Sequence, residues 1–374
     1  MVWIGLIITI GYLVLITSFI IGFKRISPYK LKLTQSKTNF SVVIPFRNEA
    51  ENLPLLLQSL EQLSYPKKLF EIILVNDASE DKSLDIISNF ILNSKLNITV
   101  LENDRQSKSP KKDAISTAVK KSKYDWIITT DADCEFPRYW LNSFDEIIIK
   151  TNAKCISGPV SYLNRPSFLH KFQILDLHSL QGATIGGFGI NQPFLCNGAN
   201  FAYQKYLFIE LDGFEGNNQT ASGDDIFLLE KIAKNYPKTL TYLKCEDAIV
   251  STKTQPSWRQ LINQRIRWAA KTSRYKNAFG KLTGIAVLLM NILVISLLLL
   301  TWIHYTSTFY FLAILLSKFM VDYVIISKAA LFFKQKQVLK TFPLAFIFYP
   351  FFSVYVAIKS IFSEYTWKGR QFKK

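Results

Sequence analysis

SVVIPFRNEAENLPLLLQSLEQL, residues 41–63, begins as a short apolar run and then changes to a helical pattern. Residues 41–46 predict a buried strand, and 50–63 predict a helix whose first turn tolerates Pro54. The alternation then repeats. EIILVND (71–77) reads as a strand, and SEDKSLDIISNFIL (79–92) as a helix opening on a capping serine and acids. NITVLEN (97–103) reads as a strand, SPKKDAISTAVKKS (109–122) as a helix with proline near its start, and DWIITTD (125–131) as a fourth strand. Strands alternating with helices of this length predict an α/β fold, a Rossmann-type, mostly parallel sheet with crossover helices.

Ligands of such sheets bind beyond the carboxyl ends of the strands. Polar residues gather at those ends: Arg47, Asn48 and Glu49, then Asn76 and Asp77, then Asp131 and Asp133. The sequence has no G-x-G-x-x-G and no Walker A motif, which argues against a dinucleotide-binding oxidoreductase and a P-loop NTPase.

Outside this region the composition changes. The 374 residues are 49% hydrophobic yet carry a net charge of +17. Residues 2–22 contain no charge and are long enough to span a bilayer, with Lys24, Arg25, Lys30 and Lys32 following. That order predicts an uncleaved anchor (1–23) with residue 24 onward inside. Further apolar runs cover 283–303, 308–327 and 342–361, the last interrupted by Pro350 and read as spanning or re-entrant. The expected map is therefore an anchor, a cytoplasmic domain over 28–280, and a membrane region over 281–374 with a basic tail. The cations cluster beside apolar spans, which points to a membrane surface and not to nucleic acid. Four cysteines without C-x-x-C spacing and three unclustered histidines predict structural thiols and no zinc site.

Within the domain, period-2 alternation would turn Asp131 and Asp133 the same way, offering two oxygen ligands to Mg²⁺ or Mn²⁺ beside diphosphate oxygens. Asp77 is placed to accept hydrogen bonds from a base or ribose, and Lys111, opening a helix, to meet a phosphate. In SGDDIFLLEKI (222–232), Asp224 and Asp225 precede a helix; crowding would raise a carboxylate pKa and suit a general base. PSWRQLINQRIRWAAK (256–271) reads as a basic amphipathic helix on the membrane surface, extending over about 256–275. Trp258, Leu261, Ile262, Ile266 and Ala269 form its apolar face, with Arg259, Arg265, Arg267 and Lys271 on the rest.

Taken in order, PFRNE (45–49), VNDASED (75–81), DAD (131–133), GDD (223–225) and QRIRW (264–268) resemble the membrane-bound branch of the family 2 inverting glycosyltransferases. That branch includes ceramide glucosyltransferases and the cellulose, hyaluronan and poly-N-acetylglucosamine synthases. The resemblance covers about 38–280 and implies a GT-A-like fold with a UDP-sugar as the expected donor. On the donor side it places Pro45, Arg47, Glu49, Asp77, Lys111 and Asp131, together with Gln264, Arg267 and Trp268. Asp133 would ligate the metal with Asp131, Asp225 would be the catalytic base, and Asp224 stands where the family has Glu. CNGANFAY (196–203) resembles the acceptor-side segment and contributes Asn197, Gly198, Ala199 and Asn200. The resemblance also implies the bacterial inner membrane, with the catalytic domain cytoplasmic.

Lys318 and Asp322 are four apart inside an apolar run, so they can pair within the membrane. Three or four spans are few for a polysaccharide channel. The expectation is therefore transfer of a sugar to a lipid, or lipid-linked, hydroxyl, with a processive synthase as the alternative.

Overall fold

The computed structural model describes residues 2–362 apart from 219, 221, 272 and 273, and then 365–367 and 370–372 of the tail. Of the predicted basic tail, Lys368, Gly369, Lys373 and Lys374 lie outside the described residues. The chain runs α1 (Val2–Arg25), β1 (Phe40–Phe46), α2 (Leu53–Glu61), β2 (Phe70–Asn76), α3 (Ser83–Asn93), β3 (Ile98–Glu102), α4 (Pro110–Lys121) and β4 (Trp126–Thr129). It continues through β5 (Cys134–Glu135), α5 (Trp140–Lys150), β6 (Cys155–Ser157), β7 (Val160–Tyr162), α6 (Phe168–Gly189), β8 (Phe201–Gln204), α7 (Lys205–Glu210) and α8 (Asp224–Asn235). Then come β9 (Leu240–Tyr242), β10 (Val250–Thr252), α9 (Trp258–Ala270), α10 (Ala278–Trp302), α11 (Thr308–Phe332), α12 (Phe342–Phe362) and a hairpin of β11 (Tyr365–Trp367) and β12 (Arg370–Phe372).

The main sheet has the order β3-β2-β1-β4-β8-β6-β9. β3, β2, β1 and β4 are parallel, as the strand–helix alternation predicts, and β8 runs against β4 and β6. β1 lies between β2 and β4, so the strand order reverses there, and that is where a crevice opens at the carboxyl ends. β5, β10 and β7 form a second, small sheet.

The two faces of the main sheet have different cores. On one face, Leu53, Leu56, Leu60, Trp140 and Phe144 of α2 and α5 cover Val42, Ile44, Ile72 and Leu74. On the other, Val43, Ile73 and Ile127 share a single cluster with α4, α6, α8 and the apolar helices α1, α10 and α11. The domain and the apolar helices are thus packed as one body.

Helix α6 makes that union. Gly186 and Gly189 let its backbone meet α1 directly. A Cβ at Gly189 would strike the Gly22 carbonyl, and one at Gly186 would lie 2.6 Å from the Phe19 carbonyl oxygen. Small residues at such a crossing allow the close approach from which helix packing in lipid draws its energy. Gly186→Ala is therefore expected to lower the thermal midpoint in detergent by the equivalent of about 1–3 kcal/mol. Gly11→Ala, with nothing within 4 Å of the new methyl, should leave it unchanged. Equal midpoints for the two variants would mean that the crossing does not hold the helices together.

Among the described residues, four helices (α1, α10, α11 and Lys336–Phe362 containing α12) are long and apolar enough to cross a membrane. α12 is unbroken through Pro350, so the segment read as spanning or re-entrant is one continuous helix. Even so, it departs from and rejoins the domain. Just before it, Gln335 donates to the Tyr162 carbonyl at 2.7 Å. Within it, Phe352 packs on Phe172 of α6 at 5.1 Å between ring centroids. After it, Arg370 of β12 reaches Asp77 at 2.6 Å.

Candidate active site

One cavity of about 1480 Å³ runs from the carboxyl ends of β1, β2 and β4, past the start of α8 and along α9, to the apolar helices. Its walls include Pro45, Arg47, Glu49, Asp77, Lys111, Asp131, Asp133, Asp224, Asp225, Gln264, Arg267 and Trp268, with Asn197, Gly198 and Ala199. Every site residue predicted from sequence lines it except Asn200. That side chain is fully buried elsewhere, accepting from the Trp140 indole at 2.9 Å and donating to the Pro159 and Ala248 carbonyls at 2.8 Å each. Asn200 ties β7, α5 and the segment before β10 together; its polar groups are all used, leaving none for an acceptor.

At the carboxyl ends of the strands, the loops after β1 and β2 brace each other. Arg47 donates to the Asp77 carbonyl at 2.8 Å and pairs with Glu80 at 2.9 Å. Buried Glu49 accepts from the Asn52 amide at 2.6 Å, and its own N–H donates to Ser83 at 2.9 Å. Asp77 holds Arg105 at 2.5 Å, Arg370 at 2.6 Å and Asn103 at 2.7 Å. Arg105 and Arg370 lie 28 and 293 residues away in sequence, and no local pattern announces either contact. With its carboxylate so occupied, Asp77 presents arginines to the crevice as well as its own charge.

Asp131 and Asp133 do not lie on β4. The strand ends at Thr129, and a turn in which the Cys134 N–H meets the Asp131 carbonyl at 3.3 Å carries the pair. Strand alternation therefore does not place these two side chains; the turn does, with Ala132 buried between them. Lys111, at the first turn of α4, lies 2.6 Å from Asp131 and 3.1 Å from Asp224. It bridges the two acidic motifs, where sequence predicts a phosphate contact alone. Burial opposes its charge, but the flanking aspartates win and hold its pKa above the usual lysine value. The converse holds at Asp224: burial acts to raise its pKa, but Lys111 and Lys271 keep it below the usual carboxylate value. At Asp224 the expected upward shift from crowding is thus reversed.

Gly223 starts α8 in the left-handed region (φ +85°), which glycine adopts at little cost. This turn aims Asp225 at the CNGAN segment. Its Oδ2 accepts the Gly198 N–H at 3.0 Å, its Oδ1 accepts the Ile226 N–H at 2.7 Å, and Lys271 stands 3.7 Å away. A methyl on Gly198 would lie 2.9 Å from Asp224, so the approach needs glycine there. Behind it, buried Lys112 donates to the Asn217 and Thr220 carbonyls at 2.8 Å each, fixing the loop before Gly223. Burial pushes the Lys112 pKa down to about 8 against the pull of Asp224.

Helix α9 departs from the amphipathic reading at Arg265, and Lys271 at its end is buried as well. Arg265 is not on the solvated side but 6% exposed, pairing with Asp176 of α6 at 2.6 Å. It also donates to Gln264 and lies 4.2 Å over the Trp268 ring. Arg265 therefore positions two residues of the QRIRW motif.

Residues 41–211 match the description Glycosyl transferase family 2. This part of the chain is thus similar to family 2 glycosyltransferases. It is 30% identical, over 40% of this chain, to a poly-beta-1,6-N-acetyl-D-glucosamine synthase of Staphylococcus epidermidis, 35% of which is covered. It is 28% identical, over 35% of this chain, to glycosyltransferase AglE of Haloferax volcanii, 42% of which is covered. The matched segments thus span about a third to two fifths of these curated relatives. A mannosyltransferase from Pyrobaculum calidifontis, solved with GDP-Man and Mn²⁺, aligns over 96% of this chain and 99% of its own with a TM-score of 0.57 at 16% identity. The architecture of the chain, apolar helices included, is accordingly GT-A-like.

Among the described residues no group of three or more His, Cys, Asp or Glu side chains is placed to hold a metal. Asp131 and Asp133 are a pair of hard oxygen donors without nitrogen or sulfur ligands. They suit Mg²⁺ or Mn²⁺ only where a diphosphate and water complete the shell. The residues fit a cation that arrives with its nucleotide.

Proposed function

We propose that the chain is a membrane-bound inverting glycosyltransferase. It moves one sugar from a nucleoside diphosphate sugar to the hydroxyl of a lipid at the cytoplasmic leaflet. A single observation carries this reading: the cavity that holds the acidic motifs continues between α1, α10, α11 and α12, where apolar residues line it. A lipid hydroxyl has a path to Asp225 that keeps its chains among apolar side chains, whereas a soluble acceptor gains nothing from that end.

Asp131 and Asp133 would hold the divalent cation, which supplies neutralisation of the diphosphate charge when bound. Arg267 and Gln264 would orient the diphosphate, with Arg265 fixing the helix that carries them. Asp225 would take the proton from the acceptor hydroxyl at a carboxylate oxygen. The hydroxyl oxygen attacks the anomeric carbon on the face opposite the departing diphosphate, so the configuration inverts. Lys111 and Lys271 keep the acidic cluster charge-balanced while Asp225 gains that proton.

α12 leaves from the domain side, and the hairpin after it returns to Asp77. We therefore place α12 obliquely at the interface and count three crossings, which keeps the basic tail with the domain in the cytoplasm. The second reading, a processive synthase, draws on the similarity to the S. epidermidis synthase.

Purified protein in nanodiscs, given UDP- and GDP-sugars with a total lipid extract, should release nucleotide only when lipid and Mg²⁺ or Mn²⁺ are both present. Chelation should stop release, and Asp133→Ala should require much more metal to restore it. Lipid-independent, chelator-insensitive release would count against the assignment.

A further inference from the structure

Tyr12 of α1 and Lys318 and Asp322 of α11 line the same cavity at its membrane end. All three are buried, Lys318 to 2% exposure. Lys318 pairs with Asp322 Oδ2 at 2.5 Å, and the Tyr12 hydroxyl donates to Asp322 Oδ1 at 2.7 Å. Each carboxylate oxygen thus has a donor. The ammonium carries three N–H donors, and Asp322 takes only one of them. Around the rest stand the rings of Phe346, 4.9 Å from Nζ to the centroid, and Tyr12, at 5.4 Å. Unused donors on a buried cation, facing a cavity in apolar surroundings, are costly without a partner.

We propose that this cluster is an acceptor subsite that binds an ester or amide carbonyl oxygen at the junction between the lipid head and its chains. The chemistry of the cluster selects the group. Lys318 offers donors only, so a pure acceptor fits. A hydroxyl would need its own proton accepted as well, and Asp322, the acceptor at hand, already takes the Lys318 ammonium and the Tyr12 hydroxyl. The cluster is neutral overall, so a phosphate would bring uncompensated charge into the low-dielectric end of the cavity. A purely hydrocarbon chain would leave the donors unmet. The subsite rests on the reading of the cavity as the acceptor path, and it narrows that acceptor to a lipid with acyl-type linkages.

The test needs no sugar donor. Protein is embedded in nanodiscs of ether-linked phospholipid, which lack ester carbonyls, and titrated by native mass spectrometry with 1,2-dioctanoylglycerol or 1,2-di-O-octylglycerol. These probes differ only in their carbonyls. Wild type should bind the diester about tenfold more tightly, and Lys318→Met/Asp322→Leu, an uncharged pair of similar volume, should erase that preference. Equal binding of the two probes by wild type would overturn the subsite, and that comparison needs no variant to fold. A double variant that keeps the preference would overturn it too, leaving the pair as an internal staple. Sugar transfer, read separately, tests the glycosyltransferase reading: diester preference without transfer to any lipid would sink that reading and leave the subsite standing.

Discussion

Replacing Asp225 by asparagine is expected to lower turnover about 10³-fold, the scale of a lost general base, with the affinity for nucleotide sugar unchanged. The carboxamide oxygen can still accept the Gly198 N–H that the carboxylate accepts at 3.0 Å, so the local fold should survive. What disappears is the capacity to take a proton, and asparagine has no substitute for it. Lys271, 3.7 Å away, loses its counter-charge, which adds to the effect. Single-turnover transfer with calorimetric donor binding separates the two quantities. Turnover within tenfold of wild type would move the base elsewhere, with Asp224→Asn as the next variant to examine. Asp224 is the weaker candidate because Lys111 sits 3.1 Å from it and holds it ionised.

The largest effect on stability is expected at the Arg265–Asp176 pair. Both side chains are 6% exposed, so removing one leaves the other buried and uncompensated. That situation typically costs about 3–5 kcal/mol. Asp176→Leu should thus sharply lower the thermal midpoint in detergent. It should also impair turnover, because Arg265 holds Gln264 and covers Trp268. Adding Arg265→Met should recover most of the midpoint, since an apolar pair of similar volume is tolerated where a lone charge is not. Turnover should recover less. A double variant no more stable than Asp176→Leu would show that the pair's value lies in contacts other than the charges.

The half of the fold that carries the β1, β2 and β4 end of the cavity was legible because its signals are local. β1 through β4 and the helices between them begin and end within a few residues of the sequence expectation. Each strand is an apolar run, α3 and α4 start at Ser83 and Pro110, and α2 carries Pro54 in its first turn. α6 was not legible. FLHKFQILDLHSLQGATIGGFG is buried on several sides, by α1, by α11 and by the sheet, so no single apolar stripe develops. β6, β8 and β9 are three or four residues long, too short for alternation to register. The candidate site divides the same way. The acidic motifs are contiguous and readable, but the lysines and arginines that neutralise them come from elsewhere in the chain. Lys111 against Asp224, Lys271 against Asp225 and Arg370 against Asp77 exist only once the chain has folded. Arg265 was misplaced because helical periodicity sees a charge and assigns it to water; its buried partner is on another helix.

The central claim is that one sugar passes to a lipid hydroxyl, and the mass of the lipid product tests it most directly. Protein in nanodiscs would be supplied with its nucleotide sugar, Mn²⁺ and a total lipid extract, with Asp225→Asn run in parallel, and the lipids weighed by mass spectrometry. The account predicts lipids heavier by a single sugar residue, absent with Asp225→Asn. A ladder of repeating sugar masses on one acceptor would contradict it and make the chain a processive synthase.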